Sequence, residues 1–377
     1  MKELLLGGQA LVIGRGSLDH LGTLAARRAF IVTGGSSMIK SGVIARIEAI
    51  LQPTGCVTQL HAGVGANPDT DAVLAGVAAM RAFAPDTVIA VGGGSAIDAA
   101  KVMTLFCDHP GLDFAAALAG TLPDRRKSVR FVAIPSTSGT GSEVTKVSVV
   151  TFREKNIKIG LRTPAFIPDV AILDADLTLT MPPNVVAETG LDAVTHAVEC
   201  YINRAIDDFT GPMAAAATAG LFEYLPISYR DKTVESREKV HNYQCLAGLA
   251  FGNVGLGASH GIAHAFGGRY GLGHGLLNAI LLPHVLEYNA RDSWVEGRLR
   301  HLAAAVGAAD FVAAVRALAG ELDVPASIQA AGLAEQDFEA DLPELVEASF
   351  QGATRVNPVA ISPAEMKALL RRAYFGR

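Results

Sequence analysis

The first half of the chain alternates short, continuously apolar runs with amphipathic stretches. AFIVT (29–33) runs into Gly34-Gly35, TVIAV (87–91) into Gly92-Gly93-Gly94, and FVAIP (131–135) into a loop rich in Ser, Thr and Gly. Runs without polar interruption suit parallel strands buried on both faces, whereas a half-exposed strand alternates. Helical patterns follow two of them, MIKSGVIARIEAIL after the first and SAIDAAKVMTLF after the second. Strand, glycine turn and helix in repetition predict a doubly wound α/β domain. Near Met181-Pro182-Pro183-Asn184 the pattern changes. Beyond it β-branched runs disappear and alanine-rich helical stretches dominate, such as VVAETGLDAVTHAVECYI and FVAAVRALAGEL. Pro183 and Asn184 suit the first turn of a helix. The pattern predicts an α/β domain over 1–180 and an all-helical domain over 181–377, with no internal repeat.

Composition narrows the partners. With 377 residues, half of them hydrophobic, the chain can bury the cores of two domains. A net charge of −5 leaves no basic footprint for nucleic acid and no polybasic patch for anionic lipid. The four cysteines (Cys56, Cys107, Cys200, Cys245) form no CxxC pair, which argues against a disulfide framework and suits a reducing cytoplasm. The N-terminus lacks the long apolar region of a signal peptide, and Pro283 and His284 interrupt the best apolar run, LLNAILLPHVL.

Two loops carry candidate phosphate chemistry. Gly92-Gly93-Gly94-Ser95-Ala96-Ile97-Asp98 lies between a predicted strand and helix, where glycines let a pyrophosphate approach the backbone and a helix N-terminus offers free N–H groups. Ser95 reads as the N-cap, with Asp98 completing a capping box; the same residues also serve a turn that binds nothing. Pro135 to Glu143 follows the neighbouring strand with further hydroxyls and glycines. Gly14-Arg15-Gly16 is a weaker match and reads as a hairpin or turn.

The second half carries candidate metal chemistry. Asp192 and His196 stand i, i+4 on one predicted helix, and His260 and His264 repeat that spacing on another. Gly267-Gly268 then break the chain, and His274 precedes the next helical pattern. One carboxylate and three imidazoles suit a divalent first-row ion such as Fe²⁺ or Zn²⁺. A lone helical histidine is usually structural, but four of the ten histidines fall between residues 260 and 284. Of these, His284 reads as packing or as a donor at a helix end.

Together these motifs resemble the iron-containing (group III) alcohol dehydrogenase family. The resemblance spans almost the whole chain through GGGSAIDAAK (92–101), IPSTSGTGSEVT (134–145), IPDVAILD (167–174), GLDAVTHAVECYI (190–202) and AFGNVGLGASHGIAHAFGGRYGLGHG (250–275). It implies a Rossmann-like, dinucleotide-binding N-terminal domain and a helical C-terminal metal-binding domain, the architecture of dehydroquinate synthase, with the metal in the cleft between them. It also implies NADP- or NAD-linked hydride transfer on small alcohols, diols or aldehydes, and a homodimer or higher homo-oligomer. Position by position, Asp192, His196, His260 and His274 fall on the metal ligands, and His264 on an extra histidine near the nicotinamide, a candidate proton relay or else a supporting residue that exchanges no proton. Gly93, Gly94, Ser95 and Asp98 fall on the pyrophosphate loop, Thr137, Ser138 and Thr140 on the second cofactor loop, and Asn67 and Lys158 on further cofactor contacts. Phe251, Asn253 and a GGRYG turn are pocket neighbours by the same resemblance, or else ordinary helix packing.

One departure bears on the cofactor. NAD-preferring relatives end the first strand with an acid that binds the adenosine ribose. Here Gly34, Gly35 and Ser36 occupy that end, with Lys40 nearby, which favours NADP(H). Glycerol dehydrogenase-like and maleylacetate reductase-like enzymes, or a non-redox cyclase related to dehydroquinate synthase, share the architecture and stay open. So does a binding protein that has lost catalysis.

Overall fold

In a computed structural model, which describes residues 2–152 and 157–377, the chain forms two compact units, Met1–Met181 and Pro182–Arg377. Unit one contains strands β1 (Ala10–Ile13), β2 (Arg28–Thr33), β3 (Val57–His61), β4 (Thr87–Gly92), β5 (Arg130–Pro135), β6 (Val147–Phe152), β7 (Ile157–Arg162) and β8 (Val170–Leu173). Its helices are α1 (Ser37–Lys40), α2 (Val43–Leu51), α3 (Thr70–Phe83), α4 (Gly94–Asp108) and α5 (Phe114–Leu118). Six strands form one parallel sheet in the order β1-β8-β5-β4-β2-β3, and β6 and β7 pair separately as an antiparallel hairpin.

Successive residues of the central strands face opposite cores. Ala29, Ile31, Ile89, Val91, Val132 and Ile134 pack with α2 on one side, while Phe30, Val32, Val88, Ala90, Phe131 and Ala133 pack with α3 and α4 on the other. This two-sided burial explains why β2, β4 and β5 read as unbroken apolar runs. Three strands of the sheet lie outside that signal. Edge strand β3 is VTQLH with partly exposed positions, and β1 and β8 are only four residues long. Gly14 and Gly16 form a turn, as expected, but not a hairpin. They follow β1, which pairs in parallel with β8, and lead into a 3-10 helix at Ser17–Thr23.

Unit two is helical: α6 (Pro183–Tyr201), α7 (Thr210–Arg230), α8 (Val234–Val254), α9 (Ala258–Tyr270), α10 (His274–Asn289), α11 (Ser293–Ala305), α12 (Phe311–Glu321), α13 (Glu335–Ala348) and α14 (Pro363–Phe375). Pro183 opens α6 at its first position, where the missing N–H is no loss. Gly267 and Gly268 do not break the chain: α9 continues through them to Tyr270, and the αL residue Gly271 ends it. The GGRYG segment is therefore mostly helix, with Arg269 turned to Asp341 and Glu344. Among the described residues, no helix is long and apolar enough to cross a membrane.

His284 lies inside α10 at 1% exposure, and among the described residues neither ring nitrogen has a hydrogen-bond partner. Burial, reinforced by the Arg316 guanidinium, pushes its pKa down to about 4, so the folded protein holds it neutral. The unfolded chain protonates the same ring near pH 6.5, about the ordinary value. Its contribution to stability is therefore complete above that value and is lost as pH falls toward the folded pKa. His284→Leu should remove about 2–3 kcal/mol of the stability loss between about pH 7 and pH 4.5, measured by urea unfolding. Equal losses in both proteins would show that other groups drive the acid sensitivity.

Candidate metal centre and nucleotide loops

The four expected ligands arrive from three helices of unit two. Asp192 and His196 are one turn apart on α6, His260 lies in the first turn of α9, and His274 is the first residue of α10. Gly275 allows α10 to approach. A Cβ there would lie 2.3 Å from the carbonyl oxygen of Glu188 on α6.

Asp192 Oδ1 stands 3.7 Å from both His260 Nε2 and His274 Nε2, and one ligand-type atom from each of these three residues lies within 4.8 Å of the others. Ligands about 2.1 Å from a tetrahedral ion stand about 3.4 Å apart, so the trio is close to the spacing a cation imposes. His196 flanks it. Its Nδ1 is 4.0 Å from Asp192 Oδ2, and its ring stacks on His260 at 4.5 Å and on Phe251 at 4.3 Å. Asn253, expected beside the pocket, donates to the Leu249 carbonyl of its own helix. His264 stacks on His274 with centroids 5.0 Å apart.

The buried polar groups fit a cation. His260 Nε2 is buried without a hydrogen-bond partner among the described residues. Burial alone would raise the Asp192 carboxyl, but His196, His274 and His260, with the Asn278 amide, hold it below the ordinary range. Burial, aided by His196, drives His260 well below its usual value, leaving the neutral imidazole that coordinates metals. Oxygen and nitrogen donors without thiolate suit Fe²⁺ or Zn²⁺.

Two supporting residues were missed from sequence. Glu199 Oε2 accepts from His260 Nδ1 at 2.7 Å, and the same carboxylate accepts from the Gly257 and Ser259 N–H groups at the start of α9. Burial pushes this carboxyl up to about 7, against the pull of those donors. Asn278 Nδ2 donates to Asp192 Oδ1 at 2.7 Å. A signal for Glu199 existed: residues 188, 192, 196 and 199 put two further acids on the ligand face of an otherwise Ala- and Val-rich helix.

In unit one, three adjacent strand ends carry the glycine- and hydroxyl-rich loops. β2 leads outward to β3 and β4 leads the other way to β5, so the sheet's switch point lies between β2 and β4, where open α/β sheets bind ligands. Gly34, Gly35 and Ser36 follow β2, with Gly35 and Ser36 exposed. Gly93 and Gly94 sit at the end of β4, and Thr137, Ser138 and Thr140 in the loop after β5. A Cβ on Gly94 would meet Thr140 Cγ2 at 2.6 Å, so the two loops touch because this residue has no side chain. Asn67, at φ 62°, donates its N–H to Ser95 Oγ at 3.4 Å. Its carbonyl accepts from Thr151, which pairs across the hairpin with Lys158. Burial lowers the Lys158 ammonium pKa.

The expected capping box is not there. Gly93 is the N-cap, α4 begins at Gly94, and no side chain caps it. This leaves the first N–H groups of α4 without a side-chain acceptor. Asp98 instead accepts from Ser142 Oγ and from Val149 N (2.9 Å), and Lys101 Nζ donates to the carbonyls of Thr145 (3.0 Å) and Val147 (2.6 Å). The acid and the lysine thus fasten the second loop and β6 to α4.

These features give an α/β unit with nucleotide-type loops and a helical unit with a carboxylate–imidazole cluster of a kind that can hold a metal ion. The chain belongs to the iron-containing alcohol dehydrogenase family: it matches "Iron-containing alcohol dehydrogenase" over residues 8–175 and "Fe-containing alcohol dehydrogenase family, C-terminal" over 186–374, and it is an oxidoreductase. It is 38% identical to an NADPH-dependent butanol dehydrogenase from Clostridium saccharobutylicum and 35% identical to a 1-propanol dehydrogenase from Citrobacter freundii, covering 96% of both chains in each case. The iron-containing alcohol dehydrogenase of Thermococcus thioreducens shares the fold at a TM-score of 0.92, with 32% identity and full coverage of both chains.

Proposed function

We propose that this enzyme interconverts small aldehydes and alcohols by hydride transfer with NADP(H). A single divalent ion, ferrous iron with zinc as the alternative, is held by Asp192, His196, His260 and His274. The buried, unpartnered His260 Nε2 facing Asp192 and His274 carries the reading. When bound, the ion polarises the carbonyl or alcohol oxygen, while the nicotinamide supplies the hydride chemistry.

The chain's own residues bind and orient. Gly93, Gly94 and Ser95 take the pyrophosphate on the N–H groups of α4; Thr137, Ser138, Thr140, Asn67 and Lys158 surround it. Asp98 acts through the second loop it fastens. His264, stacked on His274, is the proton relay. Gly34, Gly35 and Ser36 put no carboxylate beside the adenosine ribose, and the exposed Lys40 adds a cation, so a 2′-phosphate is favoured over a bare ribose. Self-association accompanies this reading, since edge strand β1 exposes Leu11 and Ile13. So does a reducing cytoplasm, with none of the four cysteines in a disulfide.

One assay series tests the proposal: nicotinamide absorbance with short aldehydes, NADPH against NADH, before and after chelation, and across pH for His264→Ala. NADPH-linked reduction that chelator abolishes is expected, with an altered pH–rate profile for the variant. Turnover indifferent to chelator would remove the metal mechanism. A higher kcat/KM with NADH would remove the NADP preference, and an unchanged pH profile the relay.

A further inference from the structure

The four proposed ligands are unequally open. The side chains of Asp192, His260 and His196 are 5%, 2% and 7% exposed, whereas that of His274 is 33% exposed. His264 lies on this open side, stacked on His274. Glu188 is an ionisable group of α6 close to His274. It stands one turn before Asp192 on α6, half-buried, and its Oε2 would lie 2.9 Å from a Cβ on Gly273, the exposed residue immediately before His274. Burial pushes its pKa up, with Asn184 pulling the other way. Among the described residues, no lysine or arginine forms an ion pair with it.

From this we infer that Glu188 sets the charge selectivity of the centre. Its carboxylate on the His274 side favours neutral short-chain aldehydes and alcohols over those bearing a carboxylate, sulfonate or phosphate. The inference rests on the aldehyde–alcohol reading above and names the substrate class within it. A cation held by one carboxylate and three neutral imidazoles keeps a net positive charge and by itself attracts anions. A small substrate whose oxygen meets that cation has only a few atoms with which to carry a second charge away from Glu188. At a separation of about 7 Å and an effective dielectric of about 40, like charges lower affinity roughly tenfold. Glu188 thus offsets the attraction where substrate arrives, while Asp192 offsets it underneath.

Glu188→Gln keeps the shape and removes the charge. The kcat/KM ratio of glyoxylate to propanal should rise about tenfold in the variant, at alkaline pH where a carboxyl is ionised. A readout independent of turnover uses the cobalt-substituted protein, titrated with acetate and with acetamide and followed by its visible absorption. There the acetate-to-acetamide Kd ratio should fall about tenfold. Unchanged ratios in both measurements overturn the inference, as does a change shared equally by charged and neutral compounds. If wild-type protein fails to reduce propanal with either nicotinamide, the aldehyde–alcohol reading fails. The cobalt titration still decides whether Glu188 discriminates charge.

Discussion

His260→Ala is expected to lose bound metal and turnover together. The ring is 1% exposed, its Nε2 has no other partner, and its Nδ1 is held by Glu199, so nothing nearby can replace the ligand. A Lewis acid contributes several kcal/mol to the barrier, and each 1.36 kcal/mol is tenfold in rate, so kcat/KM should fall by about 10³ or more. Metal per chain, measured after dialysis, should drop from about one to near zero if the ligand set is as proposed. His301→Ala, an exposed histidine of α11, provides the control and should keep both. Circular dichroism separates metal loss from unfolding. A folded His260→Ala protein with full metal and full turnover would sink the ligand assignment.

The sequence made this centre legible unevenly, and the reasons are physical. Spacing alone paired Asp192 with His196, because residues four apart on a helix share a face. It could not bring α6, α9 and α10 together. That convergence depends on Gly275, whose missing side chain admits α10 against the Glu188 carbonyl, and a lone glycine near a histidine carries no such message. The continuous runs of β2, β4 and β5 announced a sheet buried on both faces. β3, with its exposed edge, and β6, with alternating burial, gave no comparable signal. Pro182-Pro183 end one pattern and open α6, and the two compact units divide between Met181 and Pro182.

Capping failed for a different reason. Ser95 and Asp98 have the spacing of a capping box, and local chemistry alone favours that reading. Tertiary contacts won: Asp98 is drawn to Ser142 and Val149, and the buried Lys101 ties the same loop from one turn further along α4. A box at Ser95 would have satisfied the N–H groups that the proposed pyrophosphate needs. Its absence and the fastening of the second loop therefore point the same way, to a helix N-terminus kept available for an anion.

Glu199 should prove nearly as important as the ligands, although it touches no substrate. Among the described residues, its carboxylate is the acceptor for the buried Gly257 N–H, Ser259 N–H and His260 Nδ1, and a Cβ on Gly257 would lie 2.9 Å from its Oε1. Alanine would leave three buried groups unsatisfied at about 1–3 kcal/mol each, so Glu199→Ala should destabilise the fold by roughly 3–9 kcal/mol in urea unfolding. Glu199→Gln keeps the volume and one acceptor oxygen, but its amide adds donors to a site already lined with them. His260 then loses the partner that fixes its tautomer and aims Nε2 at the cation. Partners of this kind are worth about 10–100-fold in metal affinity. Titration against a competing chelator should show that loss in the folded Glu199→Gln protein, with turnover recovering as metal is added in excess. Wild-type metal affinity in that variant would mean the α6 and α9 backbones alone set the ring, and that Glu199 only closes the end of a helix.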